Sequence, residues 1–250
     1  MKNTLILLSF AALSLSACGY SVTDAVEDIK EADGGGFADG KTITTEAATT
    51  ESFSKLKALG PDNIVFVTSS AFSIKAAGSA KAIATLRYKV DGDSIIIGRK
   101  KGSWFGEEGE GVTITVTAPS LSEASLAGSG DFSADKMTGD DVVVKIAGSG
   151  QLKVDSVTAK KLESKIAGSG GALLSGKVDS VDISVAGSGN FDARKLTATD
   201  ADVSIAGSGD IRLTATGKVD ANVAGSGNIE ITGGAKCSSK SMGSGSINCS

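Results

Sequence analysis

The tetrapeptide Ala-Gly-Ser-Gly recurs through the second half of the chain at a nearly constant interval, and this regularity restricts the possible folds more than any other feature. Seven copies occur, the last of them as Met-Gly-Ser-Gly, and their first glycines are Gly128, Gly148, Gly168, Gly187, Gly207, Gly225 and Gly243. Successive copies lie 20, 20, 19, 20, 18 and 18 residues apart. A fixed period near 20 residues indicates a repeat architecture in which each unit stacks on its neighbours.

Apolar and polar residues alternate on both sides of each motif. The apolar positions that follow the motif are Phe132/Ala134, Leu152/Val154, Ala172/Leu174, Phe191/Ala193, Ile211/Leu213, Ile229/Ile231 and Ile247/Cys249. The run before the motif, for example Val142, Val144 and Ile146, alternates with the same parity. Alternation of this kind predicts strands with one buried face. The two glycines therefore lie where inward side chains would collide, or where the chain turns with a positive φ.

A third apolar position follows each motif at a distance of about seven residues, at Met137, Val157 and Leu196. Two strands and a short third side within 18–20 residues describe one rung of a parallel β-helix. Rungs of such a solenoid stack at about 4.8 Å, so inward residues form columns. The sequence thus predicts an all-β parallel β-helix, with the right-handed crossover that parallel connections prefer.

These motifs carry a family resemblance. The serial Gly-Ser-Gly coils, preceded by the segment Val112-Thr-Ile-Thr-Val-Thr-Ala-Pro119-Ser-Leu, resemble the head GIN domain family of putative auto-transporter adhesins. The resemblance covers roughly Phe53 to Ser250, and we expect one domain over residues 53–250. It implies a β-helical fold and a binding role at the cell surface, and it brings no catalytic residues to this chain.

The N-terminus has the features of a lipoprotein export signal over residues 1–17. Lys2 precedes an apolar run from Leu5 to Leu15, and Leu-Ser-Ala-Cys18 resembles the lipoprotein box. We therefore expect Cys18 to carry the lipid, with an ordinary signal peptide and a chance cysteine as the alternative. Gly19 is not the aspartate associated with inner-membrane retention, which favours the outer membrane. Residues 18–52, with eight acids and two lysines after Cys18, predict a flexible acidic tether.

The remaining cysteines, Cys237 and Cys249, both fall on inward positions of the last rung. Cys237 matches Val219 one coil earlier, and Cys249 matches Ile231. In an oxidising compartment the two are expected to form a disulfide across the end of the core.

The composition restricts the chemistry that this domain can perform. Histidine is absent, which excludes Ser-His-Asp and Cys-His catalysis and histidine metal sites. The near-neutral charge of residues 53–250 gives no electrostatic basis for nucleic-acid binding. We expect no cofactor, no metal and no catalytic residue. A β-helical polysaccharide lyase, with arginine or lysine as base, remains the enzymatic alternative, and a purely structural envelope protein is a third hypothesis.

The segment Gly98–Gly111 interrupts the repeat and is the first candidate for ligand contact. It contains the single tryptophan, and the candidate contacts are Arg99, Lys100, Lys101, Trp104 and Phe105. Binding residues often lie on loops that a rigid scaffold carries, and exposed aromatic residues are costly without a partner. The alternative is that Trp104 folds back as a lid over the first rungs. The serine of each motif is either a corner that faces water or part of a polar surface for glycan.

Taken together, the sequence predicts a lipoprotein that is tethered to the outer membrane by its N-terminal lipid and faces the periplasm or the cell surface. Its β-helix is expected to bind envelope or surface glycan or protein without catalysis.

Overall fold

The computed structural model describes residues 40–100 and 111–250, and these residues form a β-solenoid with a single short helix. Two-residue strands open the described part, β1 (Lys41–Thr42) and β2 (Ala48–Thr49). The irregular part continues with β3 (Lys55–Gly60), β4 (Asn63–Thr68), β5 (Ser73–Ala77), helix α1 (Ala80–Ile83), β6 (Leu86–Asp91), β7 (Ser94–Arg99) and β8 (Thr113–Ala118). The regular coils comprise β9 (Glu123–Gly128), β10 (Phe132–Ala134), β11 (Met137–Gly148), β12 (Gln151–Gly168), β13 (Gly171–Gly187), β14 (Asn190–Gly207), β15 (Asp210–Ala215), β16 (Lys218–Gly225), β17 (Asn228–Thr232), β18 (Lys236–Gly243) and β19 (Ser246–Cys249).

Each repeat of the sequence motif forms one rung of the solenoid. The strands that precede the motif pair in parallel, with each motif glycine aligned to the glycine of the next rung, from Gly128 to Gly243. The strands that follow the motif also pair in parallel, for example Leu152 with Phe132 and with Ala172. The short third side stacks Met137 on Val157. The predicted parallel β-helix is confirmed.

The core consists of the inward columns that the alternation predicts. Ile146, Ile166, Val185, Ile205 and Val223 lie in register in successive rungs, and each is at most 3% exposed. The inward positions after the motif are buried as well, apart from those of the last rung. Because every rung contributes the same few inward positions, the core is a continuous aliphatic column along the whole solenoid.

The two glycines of each motif are required for two different reasons. The first glycine has φ between +117° and +142° in all seven copies, a backbone region that L side chains rarely adopt. The second glycine has no positive φ, but a Cβ there would overlap the carbonyl of the preceding rung. In Gly170, for example, it would also lie 2.9 Å from Cγ2 of Ile146. A Cβ on the first glycine would overlap a carbonyl of the preceding rung too, so the steric reason applies to both glycines and the positive φ to the first alone.

The irregular N-terminal part contributes two rungs whose spatial order differs from their order in the chain. β3 pairs in parallel with β9 on one side and with β7 on the other. Likewise, β4 lies between β10 and β8. The rung formed by β7 and β8 is therefore outermost, although it follows the β3–β4 rung in sequence. The reversal is possible because β5 and β6 return antiparallel along the end of the solenoid, and a turn at Gly92 (φ 58°) leads β6 into β7.

An antiparallel layer caps this N-terminal end, as the solenoid architecture requires. β5 and β6 cover β8 and β7, and β1 and β2 in turn pair with β6 and β5. Ile43 is 2% exposed and belongs to the core. The folded part therefore extends to the N-terminal side of the predicted boundary at Phe53, because residues 41–50 are used to cover the outermost rung.

None of the residues that the structure describes forms such a layer at the opposite end, where a disulfide between Cys237 and Cys249 closes the last rung. The two cysteines align with Val219 and Ile231, as expected. Within the described residues, no helix has the length and apolar character needed to cross a membrane.

Candidate binding surface at the motif corner

The described ends of the Gly98–Gly111 segment lie at the corner where the other rungs turn through their motif. Ala58 pairs with Ile97 before the corner, and Asn63 pairs with Thr113 after it. The β3–β4 rung crosses this corner through Pro61 and Asp62 alone, whereas the β7–β8 rung uses residues 100–112. The structure therefore places the two described ends of the loop at one end of the edge that carries the motif serines.

A single carboxylate holds both ends of this loop. Arg99 donates from Nε to Oδ2 of Asp62 at 2.8 Å and from Nη2 to Oδ1 at 2.6 Å. The backbone N–H of Val112, at the other end of the loop, donates to the same Oδ1 at 3.0 Å. The adjacent Asn63 N–H donates to the carbonyl of Val112 at 2.8 Å. We call the group of Asp62, Arg99 and Val112 the loop clamp.

The loop clamp is buried, which makes its geometry restrictive. Asp62 and Arg99 are both 5% exposed. The hydrogen bonds that Arg99 donates to Asp62 raise the pKa of its guanidinium above its usual range. Bidentate arginine–carboxylate pairs are among the strongest charge-assisted contacts, and the loss of one partner leaves a buried charge uncompensated. The loop is therefore attached to a rigid base.

This geometry changes the role of one candidate contact residue. Arg99 was expected to contact a ligand, but its guanidinium is buried against Asp62, so we assign it to anchoring the loop. Lys100 is exposed, and its backbone N–H donates to the carbonyl of Thr85 at 2.8 Å. Lys101, Trp104 and Phe105 lie outside the described residues, as does Cys18. Their predicted roles remain predictions.

The motif serines form an exposed column along the corner. All seven are exposed: Ser129, Ser149, Ser169, Ser188, Ser208, Ser226 and Ser244. Their backbone N–H groups donate to the carbonyl of the first glycine in the preceding rung, as Ser188 does to Gly168 at 2.8 Å. Backbone bonding thus fixes the corner, and the hydroxyls face water. An exposed hydroxyl column is compatible with both interpretations that the sequence allowed, a corner that faces water and a polar surface for glycan.

Beside the serines runs a ladder of asparagine and aspartate side chains that the sequence analysis described only as polar. Asn190 accepts the backbone N–H of Asp210 at 3.1 Å through Oδ1, and Asp210 accepts that of Asn228 at 3.3 Å. At the N-terminal end, Asn63 accepts the N–H of Asp131 at 2.9 Å. The repeated Asp or Asn directly after the second glycine was the signal that could have identified this ladder.

The four arginines lie in different places rather than in one cleft. Arg87 donates to the carbonyls of Ala84 and Leu86. Arg194 pairs with Asp192 at 2.5 Å, and Arg212 lies between Asp210 and Glu230 at 3.6 and 3.5 Å. These surface contacts neutralise charge within and between rungs. Across residues 40–100 and 111–250, three or more acidic or cysteine side chains do not converge in a way that suggests a metal site.

The described residues form a capped parallel β-helix, a rigid scaffold on which a loop can carry binding residues. The chain matches the family described as "Putative auto-transporter adhesin, head GIN domain" over residues 52–235, and it belongs to that family. Membership supports an adhesion-type module at the cell surface or envelope. A comparison with curated protein sequences gives no significant match.

Solved structures of similar proteins agree with this assignment. A putative adhesin from Bacteroides fragilis is 25% identical with a TM-score of 0.76, and the alignment covers 83% of this chain and 100% of the other. A structure from Parabacteroides distasonis described as a putative lipid-binding protein is 26% identical with a TM-score of 0.61, over 84% and 100% of the two chains. A putative adhesin from Parabacteroides merdae shares the fold at 19% identity and a TM-score of 0.66, over 86% and 98%.

Proposed function

We propose that this protein is an adhesion module anchored to the outer membrane through a lipid on Cys18, and that its β-helix binds glycan or protein of the cell envelope or surface through the loop at residues 98–111. No catalytic step is part of this proposal. The family assignment supports the adhesive role, and the N-terminal signal in the sequence supports the anchor.

The observation that carries the proposal is the loop clamp. A loop that serves only as a connection has no need of a buried bidentate ion pair at its base, because the neighbouring rung makes the same turn through Pro61 and Asp62. The clamp fixes where the loop starts and ends, and such preorganisation lowers the entropy lost on binding. Trp104 and Phe105 provide aromatic faces suited to sugar rings, and the adjacent lysines suit hydroxyl or carboxylate groups.

The test is a comparison of the Trp104→Ala protein with the native protein on a glycan array and on intact bacterial cells. We expect Trp104→Ala to reduce binding while the melting temperature shifts by only a few degrees. Leu173→Ala is the matched control, since Leu173 is a large apolar residue, 42% exposed, on a regular rung away from the loop. The control should retain full binding and a similar melting temperature.

Two results would contradict the proposal. Unchanged binding of Trp104→Ala would remove the loop from the binding site. A large loss of stability, of the size seen when a buried tryptophan is lost at about 3–5 kcal/mol, would make the loop a lid instead. Release of unsaturated sugars from an incubated polysaccharide would support the lyase alternative and exclude a purely adhesive role.

A further inference from the structure

We propose that the last rung, residues 236–250, is a covalently locked end cap, and that its disulfide between Cys237 and Cys249 makes the C-terminal end of the solenoid sensitive to reduction. In the oxidised state the rung covers the core. In the reduced state it detaches and leaves the preceding rung as an open sheet edge. The inference concerns the solenoid end alone and does not depend on the ligand.

The position of the rung is the first support. Inner rungs have a hydrogen-bonded neighbour on both sides, whereas within residues 40–100 and 111–250 β18 pairs with β16 alone and β19 with β17 alone. Ser250 is bonded back to the preceding rung: its N–H donates to the carbonyl of Ile231 at 2.9 Å, and its carbonyl accepts the N–H of Gly234 at 3.0 Å. With a backbone ladder on one side only, the last rung has about half of the pairing that holds an inner rung.

The side chains of the rung give the second support. Its inward positions before the motif are Cys237, Ser239 and Ser241, where the preceding rung has Val219, Ala221 and Val223. Hydroxyls in place of apolar groups contribute little burial, so this rung gains far less from the hydrophobic effect than the rungs below it. A polar outer layer is what a terminal solenoid unit needs to be soluble.

What the rung covers is the third support. Val219, Val223, Ile229 and Ile231 are each 1–3% exposed, although they belong to the last rung with an apolar interior. In the stack, the residues that cover these four side chains on the side of the last rung belong to β18 and β19. Loss of the last rung would therefore expose an apolar column together with the unpaired backbone groups of β16 and β17, a combination that makes a sheet edge prone to association.

The disulfide is placed to control this exposure. It links the strand before the corner to the strand after it and encloses residues 238–248, with a sequence separation of 12. Cys249 is exposed and Cys237 is half-buried, so a reductant has access to the bond. The family match covers residues 52–235, so the disulfide lies outside the matched range.

The chemistry of opening is ordinary thiol–disulfide exchange. A thiolate of a reducing dithiol attacks one sulfur, forms a mixed disulfide and releases the other cysteine as a thiolate, which takes up a proton. The second thiol of the reductant then displaces the remaining cysteine. The dithiol is oxidised to a disulfide, and Cys237 and Cys249 both become free thiols.

The experiment is hydrogen exchange followed by mass spectrometry on the full protein, oxidised and after treatment with a phosphine or dithiol reductant. We expect amides of β18 and β19 to exchange about 100-fold faster after reduction, the factor that corresponds to the constraint of one disulfide around a short loop. Amides of β12 and β13, five or more strands away in sequence, should keep their protection. The Cys237→Ser/Cys249→Ser protein should behave as reduced and respond no further to the reductant, which also controls for Cys18.

Two outcomes would overturn the proposal. If β18 and β19 keep their protection in the reduced native chain, the backbone ladder holds the rung and the disulfide is not a lock. If protection is lost along the whole solenoid, the disulfide supports global stability rather than a local cap. Because the native sequence is itself reduced in the test, the result does not depend on whether the double variant folds.

Discussion

Ser164 is a polar residue at a buried position of the repeat that is apolar in the neighbouring rungs. Its side chain points into the inward column between Val144 and Ile183 and is 0% exposed. Its Oγ is the one buried side-chain polar atom within the described residues that has no hydrogen-bond partner. A buried hydroxyl without a partner costs about 1–3 kcal/mol, so the native residue destabilises its own rung.

Replacement of Ser164 by alanine or valine should therefore stabilise the protein. Ser164→Ala removes the penalty and should raise the free energy of unfolding by about 1 kcal/mol or more. Ser164→Val adds two more carbons than alanine, at about 0.8 kcal/mol each, which brings the expected gain to about 2.5 kcal/mol or more. The neighbouring Val144 and Ile183 occupy the same column position, so valine has the shape that the column uses. In a chain of this size, each kcal/mol corresponds to about 2–4 °C in melting temperature.

The assay is urea unfolding followed by circular dichroism, with the slope and the midpoint compared between variants. Ser184→Ala is the matched control, because Ser184 lies outward on the next rung and its hydroxyl is bonded to Oγ of Ser204 at 2.8 Å. This control should lose about 0.5–1.5 kcal/mol, the opposite sign. If Ser164→Ala is instead less stable than the native protein, the hydroxyl has a partner and the reasoning fails. A loss confined to Ser164→Val would indicate overpacking, with the hydroxyl argument intact.

Two further predictions concern surface charge and the membrane anchor. Burial, and after it the charges of Asp202 and Glu163, raise the pKa of Asp182 above its ordinary value of 3.8. The folded state therefore disfavours the ionised carboxylate. The stability that the protonated form of Asp182 contributes is fully present below pH 3.8 and is lost as the pH rises. Asp182→Asn should therefore be more stable than the native protein at pH 7, by at most about 0.2–1 kcal/mol, the energy of one cross-strand charge pair. At pH 3 the two proteins should be equally stable. Asp192 is the control of opposite sign, because its hydrogen bond with Arg194 lowers its pKa. Asp192→Asn should lose stability at pH 7, and the loss should shrink as the pH falls below 3.8. Thermal melts in which both variants respond alike would contradict the assignment. Cys18→Ser should move the protein from the membrane fraction to the soluble fraction of the cell, and retention in the membrane would show that the lipid anchor is wrong.

The sequence by itself determined the regular coils. About 20 consecutive residues specify the structure of each rung, because the alternation of apolar and polar residues defines the inward face and the glycines define the corner. Since every rung meets a copy of itself, the partner of each residue in the stack is the residue one period away. The inward placement of Cys237 and Cys249 followed from the same rule, and the structure joins them.

Only the tertiary structure decided the N-terminal part and the base of the loop. In the N-terminal part the motif does not recur at a constant interval, so the sequence period does not predict which strands pair. The β7–β8 rung lies outside the β3–β4 rung, although it follows that rung in sequence. The reversal brings Arg99 to Asp62, 37 residues away, and turns an expected ligand contact into an internal ion pair. Local patterns specify which face of a strand is buried, but the pairing of non-repeating strands depends on how the whole end of the solenoid is covered.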